Sequence, residues 1–211
     1  FGGGELNLIS KLFDRYFLNS KNIMEFNKLP NLEVILKNSQ KEYLDKISAF
    51  DNSQKTFTDK APLNFKFIGF INSILPNSKI INCRRDPIDI CWSNFKNFFA
   101  GKLNFSNNLK DLAEYYIEYE NLMKFWKKDF SKNIYDLDYN NLVNNSENEI
   151  KNLLRFCELD WDPNCLRHED NPRSIKTVSF NQARKPIYKT ALKSSDKYKE
   201  YLNELTDNLK Y

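Results

Sequence analysis

Arg84 and Arg85 stand side by side after the β-branched run Ile80-Ile81-Asn82-Cys83, and Asp86-Pro87 follows at once. A guanidinium is a planar fork of donors that matches the oxygens of a phosphate. Asp86-Pro87 reads as a helix start, because aspartate caps free N–H groups and proline fits the first turn. Ser93 then lies two helical turns in. A guanidinium at a strand end and a hydroxyl on the adjoining helix can grip one phosphate together. Arg85 serves equally well as the partner of a carboxylate, with Ser93 as a small buried side chain. Two more positions bear chemistry. Glu5, after Gly2-Gly3-Gly4, is a carboxylate that can take a proton from a hydroxyl, or that simply favours a helix N-terminus. Lys60, in Thr58-Asp59-Lys60-Ala61-Pro62, can stand beside developing negative charge, or is a solvated lysine ahead of a helix.

These residues need elements to hold them. Glu5 to Asn19 has helical apolar spacing at Leu6, Ile9, Leu12, Phe13 and Phe17. Leu32 to Phe50 reads as helix with an interruption near Asn38. Thr56 to Thr58 reads as a short strand, and Leu63 to Leu75 as a helix. Lys79 to Cys83 is the strongest strand signal. The helix after Asp86-Pro87 is predicted to reach Phe99 and to turn Ile88, Cys91, Trp92, Phe95 and Phe99 inward. Asp86, Ile90, Ser93 and Asn97 fall on another of its faces. Gly101 to Asn108 reads as loop, Leu109 to Lys128 as a long helix, and Asn133 to Leu137 as a strand. Glu147 to Cys157 reads as helix, Asp162 to Pro186 as mostly irregular, and Tyr198 to Leu209 as a last amphipathic helix. Strands alternating with helices predict a parallel sheet in an α/β fold, whose ligands bind beyond the carboxyl ends of the strands. Asp59-Lys60 and Arg84-Arg85 both sit at such ends.

Bulk properties narrow the classes. Of 211 residues, 41% are hydrophobic and 15% aromatic, so one domain with a packed core is expected. The net charge of +4 is spread without a block of like charge, which argues against a nucleic-acid arm and suits a small polyanion. The cysteines, Cys83, Cys91, Cys157 and Cys165, lack C-x-x-C spacing, and His168 is the only histidine. Reduced, mostly buried thiols, no metal and a cytoplasmic setting are therefore expected. No apolar run approaches a membrane span, and no signal peptide is visible.

Arg85, Asp86, Pro87, Asp89 and Ser93 form R-D-P-x-D-x-x-x-S, which resembles the 3′-phosphate-binding motif of sulfotransferases that use 3′-phosphoadenosine-5′-phosphosulfate (PAPS). The resemblance implies that Arg85 and Ser93 hold the 3′ phosphate of PAPS or 3′,5′-ADP. Gly2 to Leu6 looks like the glycine turn and glutamate of tyrosylprotein sulfotransferases and their bacterial relatives, which makes Glu5 the general base. Thr58 to Pro62 resembles the family's D-K-x-P segment and gives Lys60 the leaving oxygen to stabilise. Val178 to Tyr188, taken alone a polar surface loop, resembles the S-x-x-Q-x-x-x-P loop that covers the nucleotide. It assigns Ser179 to catalysis near the bridging oxygen, opposite Lys60, and Gln182 and Lys185 to the donor. Tyr139, in Asp138-Tyr139-Asn140-Asn141-Leu142-Val143, matches the nucleotide-contacting tyrosine of Y-E-x-L-V, with Asn140 in place of the glutamate.

Some positions depart from the pattern. The family's R-x-G-T-T-L donor loop lies upstream of the glycine turn and is not in this sequence. The basic residue expected four positions after Ser93 is Asn97, beside Lys96. A late basic residue that touches the 3′ phosphate falls on Ser194, so Lys193, with Lys197 as alternative, is the candidate to replace it. The resemblance implies a P-loop-NTPase-like parallel sheet flanked by helices, lacking its first strand and donor loop. It implies one sulfotransferase domain over residues 1–211, incomplete at its N-terminus. Phe1-Gly2-Gly3-Gly4 opens inside a turn, in keeping with a chain that begins in mid-fold, and the resemblance makes transfer depend on the upstream donor loop. The bacterial relatives are often fused to tetratricopeptide repeats, which are expected upstream. Glu5, Lys60, Arg85, Ser93 and Ser179 are expected to converge on one adenosine bisphosphate pocket, with no metal. The partner is a hydroxyl-bearing acceptor: a protein, with tyrosine the first case, a saccharide or a small molecule. Two other classes compete, a non-catalytic binding module with the same fold and a P-loop kinase-like enzyme.

Overall fold

Strand β1, Gly2–Gly4, runs parallel to β2, Thr58–Asp59, and begins the first of two compact units, Phe1–Ser78 and Lys79–Tyr211. The computed structural model describes residues 2–18, 24, 31–50, 56–97, 99, 103–171, 184–187 and 192–210. In the first unit, Gly4 has φ +75°, a left-handed conformation that glycine adopts without steric cost. The turn leads into α1, Leu8–Phe17, which buries Ile9 and Leu12. Its Phe13 and Phe17 pack on Phe70 with ring centroids 5.7 and 5.6 Å away. Helix α2, Leu32–Ser48, is capped by the Asn31 side chain, which accepts from the Glu33 N–H at 2.9 Å. It buries Ile35, Ser39 and Tyr43 at four-residue spacing, so one stripe faces inward. The helix is continuous through Asn38, where an interruption is expected. Asn38 lies on the exposed face, and burial of the stripe outweighs its weak helix propensity. Residues Pro62–Phe67 form 3-10 turns before α3, Ile68–Ile74.

In the second unit, β3, Ile80–Arg84, pairs in parallel with β4, Ile134–Asp138, in the register Ile80↔Ile134 to Arg84↔Asp138. Helix α4, Pro87–Phe95, starts as expected, with the Asp86 carboxylate accepting the Asp89 N–H at 2.9 Å. It stops four residues short of Phe99, and just past its end the Asn97 side-chain amide donates to the Ser93 carbonyl at 2.7 Å. Phe95, expected inside, is exposed, and Asp89 is buried with 2% of its surface accessible. Next come α5, Leu109–Phe130; α6, Tyr139–Asn144; α7, Ser146–Phe156; and α8, Asn203–Asn208. The region expected as loop before α5 contains a 3-10 turn at Asn104–Asn107, and the expected last helix is split into 3-10 turns at Asp196–Tyr201 followed by α8. Cys91, Leu112, Ala113 and Tyr116 form a core with Leu202, Leu205 and Leu209. The cysteines are free, but only Cys91 is buried; Cys83 is exposed and the other two are half-buried. The expectation of mostly buried thiols is thereby corrected. Cys83 sits in a strand whose alternate residues face outward. No helix among the described residues is long and apolar enough to cross a membrane.

Candidate functional site

Four of the expected functional residues directly follow the carboxyl ends of parallel strands: Glu5 after β1, Lys60 after β2, Arg85 after β3 and Tyr139 after β4. Strand ends are where α/β sheets present ligand-binding groups, because the crevice opens there and the following turns are free to vary.

In the first unit, Glu5 and Lys60 form an ion pair although 55 residues separate them. Backbone pairing brings them together, since the Lys60 N–H donates to the Gly4 carbonyl at 2.8 Å. Both side chains are about half exposed, so each keeps an open side toward solvent or a ligand. Behind them Asp59 is half-buried and accepts from the Tyr43 hydroxyl at 3.2 Å. Burial raises the Asp59 carboxyl above the ordinary aspartate range, against the lowering effect of hydrogen bonds from Tyr43 and the Leu6 N–H. A raised carboxyl in the folded state means that its contribution to stability is present below about pH 4 and lost as pH rises through the folded value. Asp59→Asn should therefore gain stability relative to wild type as pH rises from about 4 toward neutrality. Urea unfolding across that range measures it; a pH-independent difference would show that Asp59 carries no burial cost.

In the second unit the two arginines separate into different roles. Arg84 lies against Glu120, with one nitrogen 3.0 and 3.1 Å from the two carboxylate oxygens. Asp136 completes this network, 4.0 Å from Arg84, paired with Lys127, and accepting from the Asn82 amide at 2.8 Å. Arg84 thus ties β3 to α5 and β4. The network was not anticipated from sequence, because its members lie on three separate elements.

Arg85 lies 17% exposed with a nitrogen 3.0 Å from the Asp89 carboxylate. This is the carboxylate pairing that its residue type left open. The same nitrogen donates to Ser194 Oγ at 3.3 Å, and the guanidinium stands 5.4 Å from the centre of the Tyr139 ring. Asp89 also accepts the backbone N–H groups of Lys193 and Ser195, each at 2.8 Å. Burial works to raise the Asp89 carboxyl, but the Ser195 and Arg85 interactions outweigh it and hold it below the ordinary range. Lys193 has φ 55°, a left-handed conformation that costs a non-glycine residue of order 1 kcal/mol. Its amide is thereby held on Asp89, while its side chain is exposed.

Ser93 is half-buried on α4, and Lys185 is exposed. Ser179 and Gln182 lie outside the described residues. Asp89 and Ser194 are the residues that the sequence reading missed as site members. The local signal for Asp89 was its place in the motif; for Ser194 it was the alignment with a basic residue. An arginine, an aromatic ring and a hydroxyl side by side fit the phosphate and base of a nucleotide, and Asp89 is satisfied by backbone amides so that it does not oppose an anion alone. Among the described residues no group of three or more His, Cys, Asp and Glu side chains is arranged to hold a metal ion.

By fold and site the chain is an α/β protein with its chemistry-bearing residues at the carboxyl ends of parallel strands. It belongs to the sulfotransferase family, whose model matches residues 11–163, well over half of the chain. An uncharacterized protein of Aquifex aeolicus (strain VF5) is 33% identical over 190 residues, which cover 89% of this chain and 24% of that relative. The chain therefore spans about a quarter of the length of the curated relative that it matches. Among solved structures, a sulfotransferase domain from the curacin biosynthetic pathway superposes with a TM-score of 0.53 at 15% identity, over 95% of this chain and 76% of that one. That likeness is one of fold, the mixed helices and small parallel sheets of an α/β sulfotransferase.

Proposed function

We propose that this chain moves a sulfuryl group from PAPS to an acceptor hydroxyl. The observation that supports the reading best is the Glu5–Lys60 pair, a carboxylate and an ammonium brought to two adjoining strand ends. Glu5 accepts the proton of the acceptor hydroxyl as its oxygen attacks sulfur. The bond between sulfur and the bridging oxygen of the 5′ phosphate breaks, and the electron pair goes to that oxygen. Lys60 stabilises the negative charge that collects there. By the family resemblance, Ser179 shares in stabilising that bridging oxygen. Arg85, Ser93 and Tyr139 hold the adenosine end through its 3′ phosphate and base, with Gln182, Lys185 and Lys193 as further contacts. Like phosphoryl transfer, the chemistry depends on positioning and electrostatics. A protein tyrosine, a saccharide and a small alcohol each present the hydroxyl that this chemistry needs. A cytoplasmic setting belongs to the same proposal.

Calorimetry and a transfer assay test the reading together. Binding of 3′,5′-ADP without added metal, with transfer of labelled sulfuryl from PAPS to a hydroxyl acceptor by a protein extended upstream through the donor loop, is the expected result. Binding without transfer, even with the upstream sequence restored, would identify a non-catalytic module, and Mg²⁺-dependent ATP turnover without 3′,5′-ADP binding would identify a kinase-like enzyme.

A further inference from the structure

We propose that Asp89 is a positioning residue that fixes Ser194 beside Arg85, and that the Ser194 hydroxyl serves as a ligand of the 3′ phosphate where the family pattern calls for a cation. The inference rests on the reading that Arg85 receives a 3′ phosphate. Its observations lie within the second unit.

Asp89 is the most heavily used side chain of the cluster. One carboxylate oxygen, Oδ2, takes the Lys193 N–H at 2.8 Å and lies 3.0 Å from Arg85. The other, Oδ1, takes the Ser195 N–H at 2.8 Å and lies 3.3 Å from Ser194 Oγ. A carboxylate with 3% of its side chain accessible is tolerated only when its oxygens are satisfied, and both are. These contacts close more than a hundred residues of chain, from 89 to 193–195, at one point. The left-handed turn at Lys193 and the right-handed conformation of Ser195, φ −77° and ψ −22°, bring the amides on either side of Ser194 to the same carboxylate. Ser194 is therefore held at both of its backbone flanks, and only its side chain is left to choose a partner.

That side chain sits between the two charged groups. Its oxygen accepts from Arg85 at 3.3 Å and its proton is directed to Asp89 at 3.3 Å. Both contacts are long for their type, and neither is needed to satisfy Asp89, whose oxygens keep one backbone amide each. An arriving phosphate can thus draw the Ser194 proton to one of its own oxygens while Arg85 supplies charge. Asp89 remains anchored and keeps the segment in place. A lysine at this position would add a mobile point charge; the serine supplies a short, fixed donor. The consequence is selectivity for a 3′-phosphorylated nucleotide that depends on an aspartate which need not touch the ligand.

The test is titration calorimetry of wild type, D89N and S194A with 3′,5′-ADP and with 5′-AMP, each variant first checked for folding by circular dichroism. Asparagine cannot accept at both positions, so D89N should lower the preference for 3′,5′-ADP over 5′-AMP by about tenfold, with the 5′-AMP affinity little changed. S194A should lower the same preference by about threefold to fivefold without altering the fold. A merely structural role for Asp89 would weaken both nucleotides alike and leave the ratio standing. An unchanged ratio in folded D89N would overturn the proposal. Should D89N fail to fold, an unchanged ratio in S194A decides against it. If wild type prefers the 3′ phosphate and both variants keep the preference, only this inference falls. If wild type shows no preference, the nucleotide reading falls with it.

Discussion

In the protein extended upstream through the donor loop, Glu5→Ala should lower sulfuryl transfer by at least about 10²-fold, while 3′,5′-ADP binding should stay near wild type. General-base assistance is worth this much because the acceptor oxygen attacks sulfur poorly while it still carries its proton. The geometry separates this effect from unfolding. Glu5 and Lys60 are half exposed, and an ion pair in that setting is worth about 0–1 kcal/mol of stability. A large drop in rate with a small change in Tm therefore reports chemistry. Glu5→Gln sharpens the test, since it keeps the shape and hydrogen-bonding reach of the side chain but removes the base. It should lose nearly as much rate as alanine. Transfer of labelled sulfuryl from PAPS measures both variants. A glutamine variant that retains wild-type turnover would reduce Glu5 to a partner of Lys60 and remove it from the mechanism.

Arg85→Ala should weaken 3′,5′-ADP by roughly 2 kcal/mol or more, about thirtyfold, the effect expected when a charge-assisted hydrogen-bonded pair loses one member. Arg85 is 17% exposed and therefore partly shielded from water, which strengthens its attraction for an anion. The substitution also takes a cation from Asp89. Breaking a buried pair commonly costs several kcal/mol, but Asp89 keeps the Lys193 and Ser195 amides, so the protein should fold with reduced stability. Binding is read by calorimetry well below the variant's Tm. Arg85→Lys should recover only part of the affinity, because an ammonium cannot reproduce the bidentate fork. Wild-type affinity in the alanine variant would assign Arg85 wholly to its pairing with Asp89.

Much of the fold was legible without coordinates because its signals are local. Asp86-Pro87 opens α4 through a side chain that reaches an N–H three residues away. The β-branched run before it needs only its own residues to read as a strand, and β3 ends at Arg84, one residue beyond the expected boundary. Where local reasoning failed, the missing information lay in neighbours. Helical periodicity turned Cys91 and Phe95 inward, but the face a helix buries is set by what packs on it: α4 buries Cys91 as expected and Asp89 rather than Phe95. Asn38 read as a break, yet α2 runs through it on the strength of Ile35, Ser39 and Tyr43.

The same division holds for the site. By itself the sequence determined which residue types stand at the strand ends: a carboxylate at 5, a lysine at 60, arginines at 84 and 85 and a tyrosine at 139. Only the tertiary structure decided their partners. Two adjacent arginines of equal charge were assigned opposite duties by Glu120, 36 residues from Arg84, and by Ser194, 109 residues from Arg85. It likewise joined Glu5 to Lys60 through a strand pairing that neither segment announces. Backbone propensity and capping act within a few residues and are written in the order of the chain. Ion pairs and buried hydrogen bonds act through space, and their partners exist only once packing has closed the distance.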